Sequence, residues 1–490
     1  MNMEEHRRLR YGIVGGLGAL GAADIFFKLV KSAPSRFGAE QPEYIFEQQP
    51  FPEGDAPGAL HASQNARKLY VFDMLRRFEA RGLNGVIIPC FISHAFIDEL
   101  RAEVKLPIIN MMDALRDVIS LRYPDVKRIG VLTSDYVKSK RLFERHFSSS
   151  GGEVIYPSDD IQRDCVMPAI YSAEGLKMGA LKGTSVDKLA LACEDLLARG
   201  ADLIVPGFTE ISIAIDALSE KGFPIIDANL AYASYAVSHD GTTSQKQFKI
   251  GIVGGVGPAA TVDFMNKIVR NTPADCDQDH IKVVVEQNPQ IPDRTANLIG
   301  DGADPTVSLY STCKRLEAAD ADIIAIPCNT AHAFVERIQP YLSIPVVNML
   351  TATVEHIQKH LPKDVVVGLL ATSGTVSSGI YAEAAVNAGI DMLVPDEAYQ
   401  AKVMEAIYGE SGIKAGFVEG ECRTYLLDAL EHLASRGARA VVLGCTELPL
   451  VLGSRGQFPA GGATVEILDP TEILAKKCVV FATDYRKQKG

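Results

Sequence analysis

Two cysteines offer this chain its most specific chemistry. Cys328 follows the apolar run Asp322-Ile-Ile-Ala-Ile-Pro327 and precedes Asn329-Thr-Ala-His-Ala-Phe334. Cys445 follows Ala440-Val-Val-Leu-Gly444 and precedes Thr446-Glu-Leu448. Both are expected at the carboxyl end of a buried strand, where open α/β sheets bind ligands. As metal ligands they would need further Cys or His at close spacing, and only His332 lies near Cys328. As a redox pair they lack the adjacent Cys-x-x-Cys arrangement. A lone nucleophile would require an oriented base such as His332. What remains is acid/base work, in which a thiolate removes a proton from one face of a carbon and a thiol supplies one to the other. The result is inversion of a stereocentre. The remaining cysteines Cys165, Cys193, Cys276, Cys313, Cys422 and Cys478 have no such polar setting and read as small hydrophobes filling a core.

The elements that must position these thiols come twice. Tyr11-Gly-Ile-Val-Gly-Gly-Leu-Gly18 returns as Ile250-Gly-Ile-Val-Gly-Gly-Val-Gly257. Ile88-Pro-Cys-Phe-Ile-Ser-His-Ala-Phe96 returns as Ile326-Pro-Cys-Asn-Thr-Ala-His-Ala-Phe334. Pro107-Ile-Ile-Asn-Met111 returns as Pro345-Val-Val-Asn-Met349, and Ala169-Ile-Tyr-Ser-Ala-Glu-Gly-Leu-Lys177 as Ala406-Ile-Tyr-Gly-Glu-Ser-Gly-Ile-Lys414. Val205-Pro-Gly-Phe-Thr-Glu210 returns as Val442-Leu-Gly-Cys-Thr-Glu447. This is a tandem duplication of a unit of roughly 240 residues, too long for a solenoid repeat. It predicts one domain over 1–240 and a second over 248–490, joined by the polar stretch Ser238 to Gln247. Apolar runs alternate with helical patterns in each half, and the series restarts at Val365. The expected fold is α/β, each half holding two parallel-sheet lobes with the site in the cleft separating them. One lobe supplies Cys328 and the other Cys445.

The glycine turns have two readings. Gly16-Leu-Gly-Ala-Leu-Gly21 fits G-x-G-x-x-G, and Gly255-Val-Gly-Pro-Ala-Ala260 fits G-x-G-x-x-A. Either pattern suggests a dinucleotide. The acidic residues that should follow, Glu47 and Glu286, come about 30 residues on rather than about 20. The other reading is a turn whose backbone amides meet a substrate carboxylate at a helix N-terminus.

Together these pieces resemble the aspartate/glutamate racemase family of cofactor-independent amino-acid racemases. The resemblance rests on Gly251-Ile-Val-Gly-Gly-Val-Gly-Pro258, Asn288-Pro-Gln-Ile-Pro-Asp-Arg294, Pro327-Cys-Asn-Thr-Ala-His332, Gly412-Ile-Lys414 and Gly444-Cys-Thr-Glu-Leu448. The stretch ending at Arg294 looks most like the aspartate racemase branch. The resemblance implies Cys328 and Cys445 as the acid/base pair. It implies that Gly257, Asn288, Asn329, Thr330 and Thr446 hold the amino-acid core of the substrate. Arg294 would pair with the side-chain carboxylate, and Lys414 would add positive charge. His332 and Glu447 either polarise the thiols or cap and brace helices. No cofactor and no metal is implied. Aspartate is the first substrate expected and glutamate the next. The competing readings are a related thiol enzyme (maleate isomerase-like or arylmalonate decarboxylase-like), a non-catalytic amino-acid sensor, and an NAD-dependent enzyme.

The halves are unequal. The first keeps Cys90, Lys177 and Thr209, but Phe208 stands where the second has Cys445, and Phe91 and Ile92 replace Asn329 and Thr330. No arginine follows Gln49-Pro50 to match Arg294. The first half is therefore expected not to racemise aspartate. It reads as a built-in dimer partner of the second half, since single-copy relatives tend to be dimers, or less readily as a site for a different ligand. Further self-association stays open.

Composition narrows the partners. The net charge is −12 with no basic cluster, which argues against a nucleic-acid surface. No apolar run approaches the roughly 20 residues of a bilayer span, and Met1 to Arg10 lacks an apolar signal region. Nine cysteines in 490 residues are no disulfide framework. Free thiols fit a reducing cytoplasm.

Overall fold

A computed structural model of the chain describes residues 9–33, 42–51, 60–148, 151–239, 247–453, 456–460 and 463–489. Most of the expected polar junction, residues 240–246, lies outside them. The chain divides into two compact units, Met1–Lys246 and Gln247–Gly490.

The first unit contains β1 (Arg10–Val14), β2 (Glu43–Glu47), β3 (Gly85–Ile87), β4 (Ile108–Ile109), β5 (Arg128–Thr133), β6 (Glu153–Ile155) and β7 (Leu203–Gly207). They form two sheets, ordered β2-β1-β3-β4 and β6-β5-β7, with every pairing parallel. The second unit contains β8 (Lys249–Gly254), β9 (Lys282–Gln287), β10 (Ile323–Ala325), β11 (Val346–Val347), β12 (Val366–Ala371), β13 (Asp391–Leu393), β14 (Ala440–Gly444), β15 (Gln457–Ala460) and β16 (Ala463–Leu468). Its sheets run β11-β10-β8-β9 and β13-β12-β14-β16-β15. Only the β15–β16 pair is antiparallel.

The central strands are Val-, Ile- and Leu-rich and buried along their length: β14 reads Ala-Val-Val-Leu-Gly and has no exposed residue. Continuous apolar runs of this kind are what helices on both faces of a parallel sheet require. Each sheet begins its own βα series, so each unit has two lobes. The last helix, Pro470–Lys489, crosses back from the second lobe to pack on Pro258–Asn271 and Met349–His360 of the first. Buried Lys267 pins that return. Its ammonium bonds Thr471 Oγ1 at 2.8 Å, pairs with Asp469 at 2.5 Å, and contacts Asp263 one turn earlier. The first unit repeats the device. Lys28 joins Asp24 at 2.6 Å to Asp227 at 2.8 Å, tying Ala19–Ser32 to Ala228–Ser238.

The repeated Asn is a helix cap. Asn348 Oδ1 accepts from the amides of Leu350 and Thr351 at 2.9 and 3.1 Å, and Asn110 Oδ1 from that of Met112 at 2.9 Å. Of the cysteines read as core filling, Cys276 is exposed instead. Its thiol donates to Asp279 Oδ2 at 3.3 Å in a loop turn. The other five are buried, and burial pushes the thiols of Cys193, Cys313 and Cys478 up to about 12. Among the described residues no helix is long and apolar enough to cross a membrane.

Candidate active site

In the second unit Cys328 stands just past β10, in the first lobe, and Cys445 directly after β14, in the second. Both line one cleft. Arg294, Asn329, Thr330, Lys414 and Thr446 line it too, with Val256, Thr295, Thr372, Tyr408, Gly444 and Glu447.

Glu447 organises the second-lobe wall. Its Oε2 accepts from the Cys445 thiol at 3.0 Å and its Oε1 from Lys414 Nζ at 2.9 Å. Burial raises the Glu447 carboxyl, but the Lys414 ammonium and the hydrogen bonds from Cys445 and Lys414 together hold it below the usual carboxylate range. Burial and the adjacent Glu447 charge hold the Cys445 thiol well above its ordinary value. Lys414 stays cationic, because its anionic surroundings, Glu447 first, outweigh its burial. At neutral pH Cys445 is therefore a neutral thiol beside the Glu447 carboxylate and the Lys414 ammonium.

The first-lobe wall is cationic. Arg294 is buried, and its Nη1 donates to the carbonyls of Ile291 and Pro292 at 3.3 and 3.1 Å. Its guanidinium stands beside the Cys328 thiol, whose negative form favours the cation against burial. Asn329 Oδ1 accepts from Tyr381 Oη at 2.6 Å. That leaves two buried donors, Asn329 Nδ2 and Arg294 Nε, without a partner among the described residues. Buried donors are nearly always satisfied, so these suit an acceptor brought by a ligand. The hydroxyls of Thr295 and Thr330 meet those of Thr372 and Thr375 across the lobes at 2.7–3.2 Å.

Other predicted residues take supporting places. Gly257 and Asn288 are not among the lining residues. Gly257 has φ +118°, and a Cβ there would fall 2.6 Å from Glu447 Oε1. The glycine turn thus makes room for a protein carboxylate. A dinucleotide diphosphate brought to that turn would meet like charge. Asn288 braces the loop leading to Arg294, donating to Thr312 Oγ1 at 3.1 Å and accepting from the Gln290 amide at 3.1 Å. His332 Nε2 accepts from the Met349 amide at 3.1 Å, so its Nδ1 carries the proton donated to the Cys328 carbonyl at 2.9 Å. Burial keeps this imidazole neutral. It fixes the turn carrying Cys328 and does not touch the sulfur. Sequence reasoning missed Tyr408, Thr295 and Thr372; Tyr408 alone carried a signal, as a member of the repeated Ala406–Lys414 block.

The first unit holds a related cluster. Cys90 follows β3, and His94 makes the same two contacts, to the Cys90 carbonyl at 2.9 Å and the Met111 amide at 3.0 Å. Phe208 follows β7 and meets Tyr171 edge-on at 5.7 Å. The loop after Gln49-Pro50, where no arginine matches Arg294, lies from residue 52 to 59 outside the described residues. Arg67, on the helix Leu60–Ala80, donates to Cys90 Sγ at 3.4 Å. No motif marks it, because it comes from a different element.

Parallel α/β lobes meeting at a cleft with two thiols and two cations place the second unit in the class of small-molecule α/β enzymes. The chain belongs to the Asp/Glu/hydantoin racemase family, whose model matches residues 14–236 and again 253–478. The double match shows that the halves are tandem copies. The broad specificity amino-acid racemase RacX of Bacillus subtilis (strain 168) is 28% identical over 239 residues, covering 47% of this chain and 96% of that protein. A glutamate racemase of Deinococcus radiodurans is 32% identical over 162 residues, covering 31% of this chain and 50% of its own length. Among solved structures, Picrophilus torridus aspartate racemase is 29% identical, covering 49% of this chain and 98% of that one, with a TM-score of 0.42.

Proposed function

We propose that the second unit interconverts the enantiomers of an acidic amino acid, aspartate first and glutamate next, by two-thiol proton transfer without pyridoxal phosphate. The observation that carries this reading is the pair Cys328 and Cys445, on different lobes of one cleft, each with a cation within its reach. In one direction the Cys328 thiolate takes the α-proton, breaking the Cα–H bond and forming S–H. The Cys445 thiol delivers its proton to the opposite face of Cα and is left as a thiolate beside Lys414. The reverse reaction, or proton exchange with water, resets the pair. Asn329 Nδ2 holds the substrate's α-carboxylate, the Thr446 hydroxyl, whose proton goes to Glu447 Oε2 at 3.3 Å, accepts from its ammonium, and Arg294 takes the side-chain carboxylate, which its planar fork suits. Negative charge developing at Cα is stabilised by these fixed donors and cations.

The test is incubation of the pure chain with L-aspartate in deuterated water, with no pyridoxal phosphate added. Deuterium at Cα together with D-aspartate is the expected outcome. Absence of exchange with aspartate, glutamate and every other acidic amino acid would remove racemisation and leave the related thiol-enzyme and sensor readings.

A further inference from the structure

We propose that the second unit carries a further ligand site, for a single aromatic ring bearing an ammonium group, where the helix Ile380–Ala388 meets the edge strand β13. The inference does not depend on what the second unit catalyses.

A cleft of about 210 Å³ lies there, and Val376, Tyr381, Ala385, Ile390, Met392 and Val394 are among its walls. An apolar cavity of about 150 Å³ holds benzene, so one ring has room. None of its residues lines the two-thiol cleft. Its inner wall is fixed from that side, however. Tyr381 Oη donates to Asn329 Oδ1 at 2.6 Å, and the hydroxyls of Thr375 and Thr330 meet at 2.7 Å. At its mouth Val386 is 76% exposed and Val394 37% exposed.

The first unit shows what such a space holds. There β5 and β6 begin their pairing at Arg128 and Glu153, as β12 and β13 do at Val366 and Asp391. Arg141 and Gly379 both take left-handed backbone at the helix start, with φ 52° and 69°. These pairs share one offset along the chain, which sets Glu144, Phe147 and Tyr156 against Ala382, Ala385 and Val394. The first unit fills the space from within. The Phe147 ring stacks 6.2 Å from that of Phe143, and Tyr156 Oη donates to Glu144 Oε2 at 2.9 Å. The second unit has a smaller side chain at all three positions, and all three line its cleft. Apolar walls with no atoms opposite forfeit dispersion contacts, which a bound ring restores.

Charge chooses the substituent. Asp391 is the one charged residue along the lining. Pockets of this kind orient ligands through their few polar groups. An ammonium is attracted to that carboxylate, and an anion is repelled by it.

The full chain is titrated with 4-fluorophenethylamine, protonated at neutral pH, and in parallel with 4-fluorophenylacetate. Binding is read from fluorine NMR line widths. The amine should bind saturably and at least threefold more tightly than the anion. Val394→Tyr, which restores the first unit's ring, should weaken the amine at least tenfold. Ala385→Phe should do the same, and Val394→Tyr decides the matter if that buried change prevents folding. Asp391→Asn should narrow the preference over the anion; an unchanged preference would overturn the ammonium assignment. No saturable binding, a preference for the anion, or full affinity in folded Val394→Tyr would each overturn the site. So would competitive displacement of the amine by L-aspartate, which would put it in the two-thiol cleft. Self-association abolished by Val394→Tyr, with no amine binding, would give this face to a second copy of the chain instead.

Discussion

A single carboxylate, Glu447, sets the two thiols of the second unit apart. It accepts the Cys445 proton at 3.0 Å, whereas Cys328 faces a guanidinium. Glu447→Gln removes a negative neighbour that holds the Cys445 thiol up and leaves Lys414 beside it. The thiol then ionises at lower pH, since a cation favours the charged form and no anion opposes it. The alkaline limb of racemisation, which needs Cys445 protonated as the donor in one direction, should fall at lower pH than in the native chain. The pH profile of kcat/KM, equal for the two enantiomers because their equilibrium constant is one, measures this, and an unmoved alkaline limb would contradict the assigned role. The sequence already marked Glu447 by its repeat, but its role was undecided there, because only packing shows which oxygen meets sulfur and which meets Lys414. Arg67 was illegible for a related reason. A lone arginine in a helical pattern has no spacing that reports proximity to a thiol in another element.

At the scale of elements, the strands were readable because buried parallel strands are continuous apolar runs. β15 was not: Gln-Phe-Pro-Ala carries a proline, which an edge strand tolerates because its amide has no ladder to join. The segment after Cys328 forms a 3₁₀ turn, Thr330–Phe334, and then a short α-helix, Val335–Ile338. The turn holds His332 against the Cys328 carbonyl. The lysine clusters that return each final helix to its first lobe also went unread, since their members lie about two hundred residues apart. They differ in burial. Lys267 and Asp469 are fully buried, whereas Lys28 and Asp227 are 13% and 20% exposed. Lys267→Met would strand buried carboxylate charge, a change that costs about 3 kcal/mol or more. The second unit's transition in urea should move to clearly lower denaturant. Lys28→Met should move the first unit's transition less, since solvent screens its partners. Equal shifts would mean that burial does not decide the strength of this tie.

At the scale of the whole molecule, duplication supplied two copies of one scaffold, and the replacements that separate them include residues at the thiol sites. Frame residues survive in both: the capping asparagines, the histidines that brace the cysteine turns, and the glutamates under the glycine turns. The second wall thiol survives only in the second copy. Two-thiol inversion needs an acid and a base on opposite faces of one carbon, so Phe208 deprives the first unit of half the reaction whatever it binds. Replacing both Cys328 and Cys445 with serine in the full chain should therefore remove racemisation completely, although Cys90 and its Arg67 partner are untouched. The measurement is the appearance of D-aspartate from L-aspartate by chiral chromatography, at enzyme levels high enough to detect activity 10⁴-fold below native, a loss at the upper end of about 10²–10⁴ for a missing acid/base group. Activity above that floor would show that the first unit inverts substrate with one thiol. The division of labour argued from Phe208 would then have to be abandoned, while the assignment of Cys328 and Cys445 would rest on how much activity was lost.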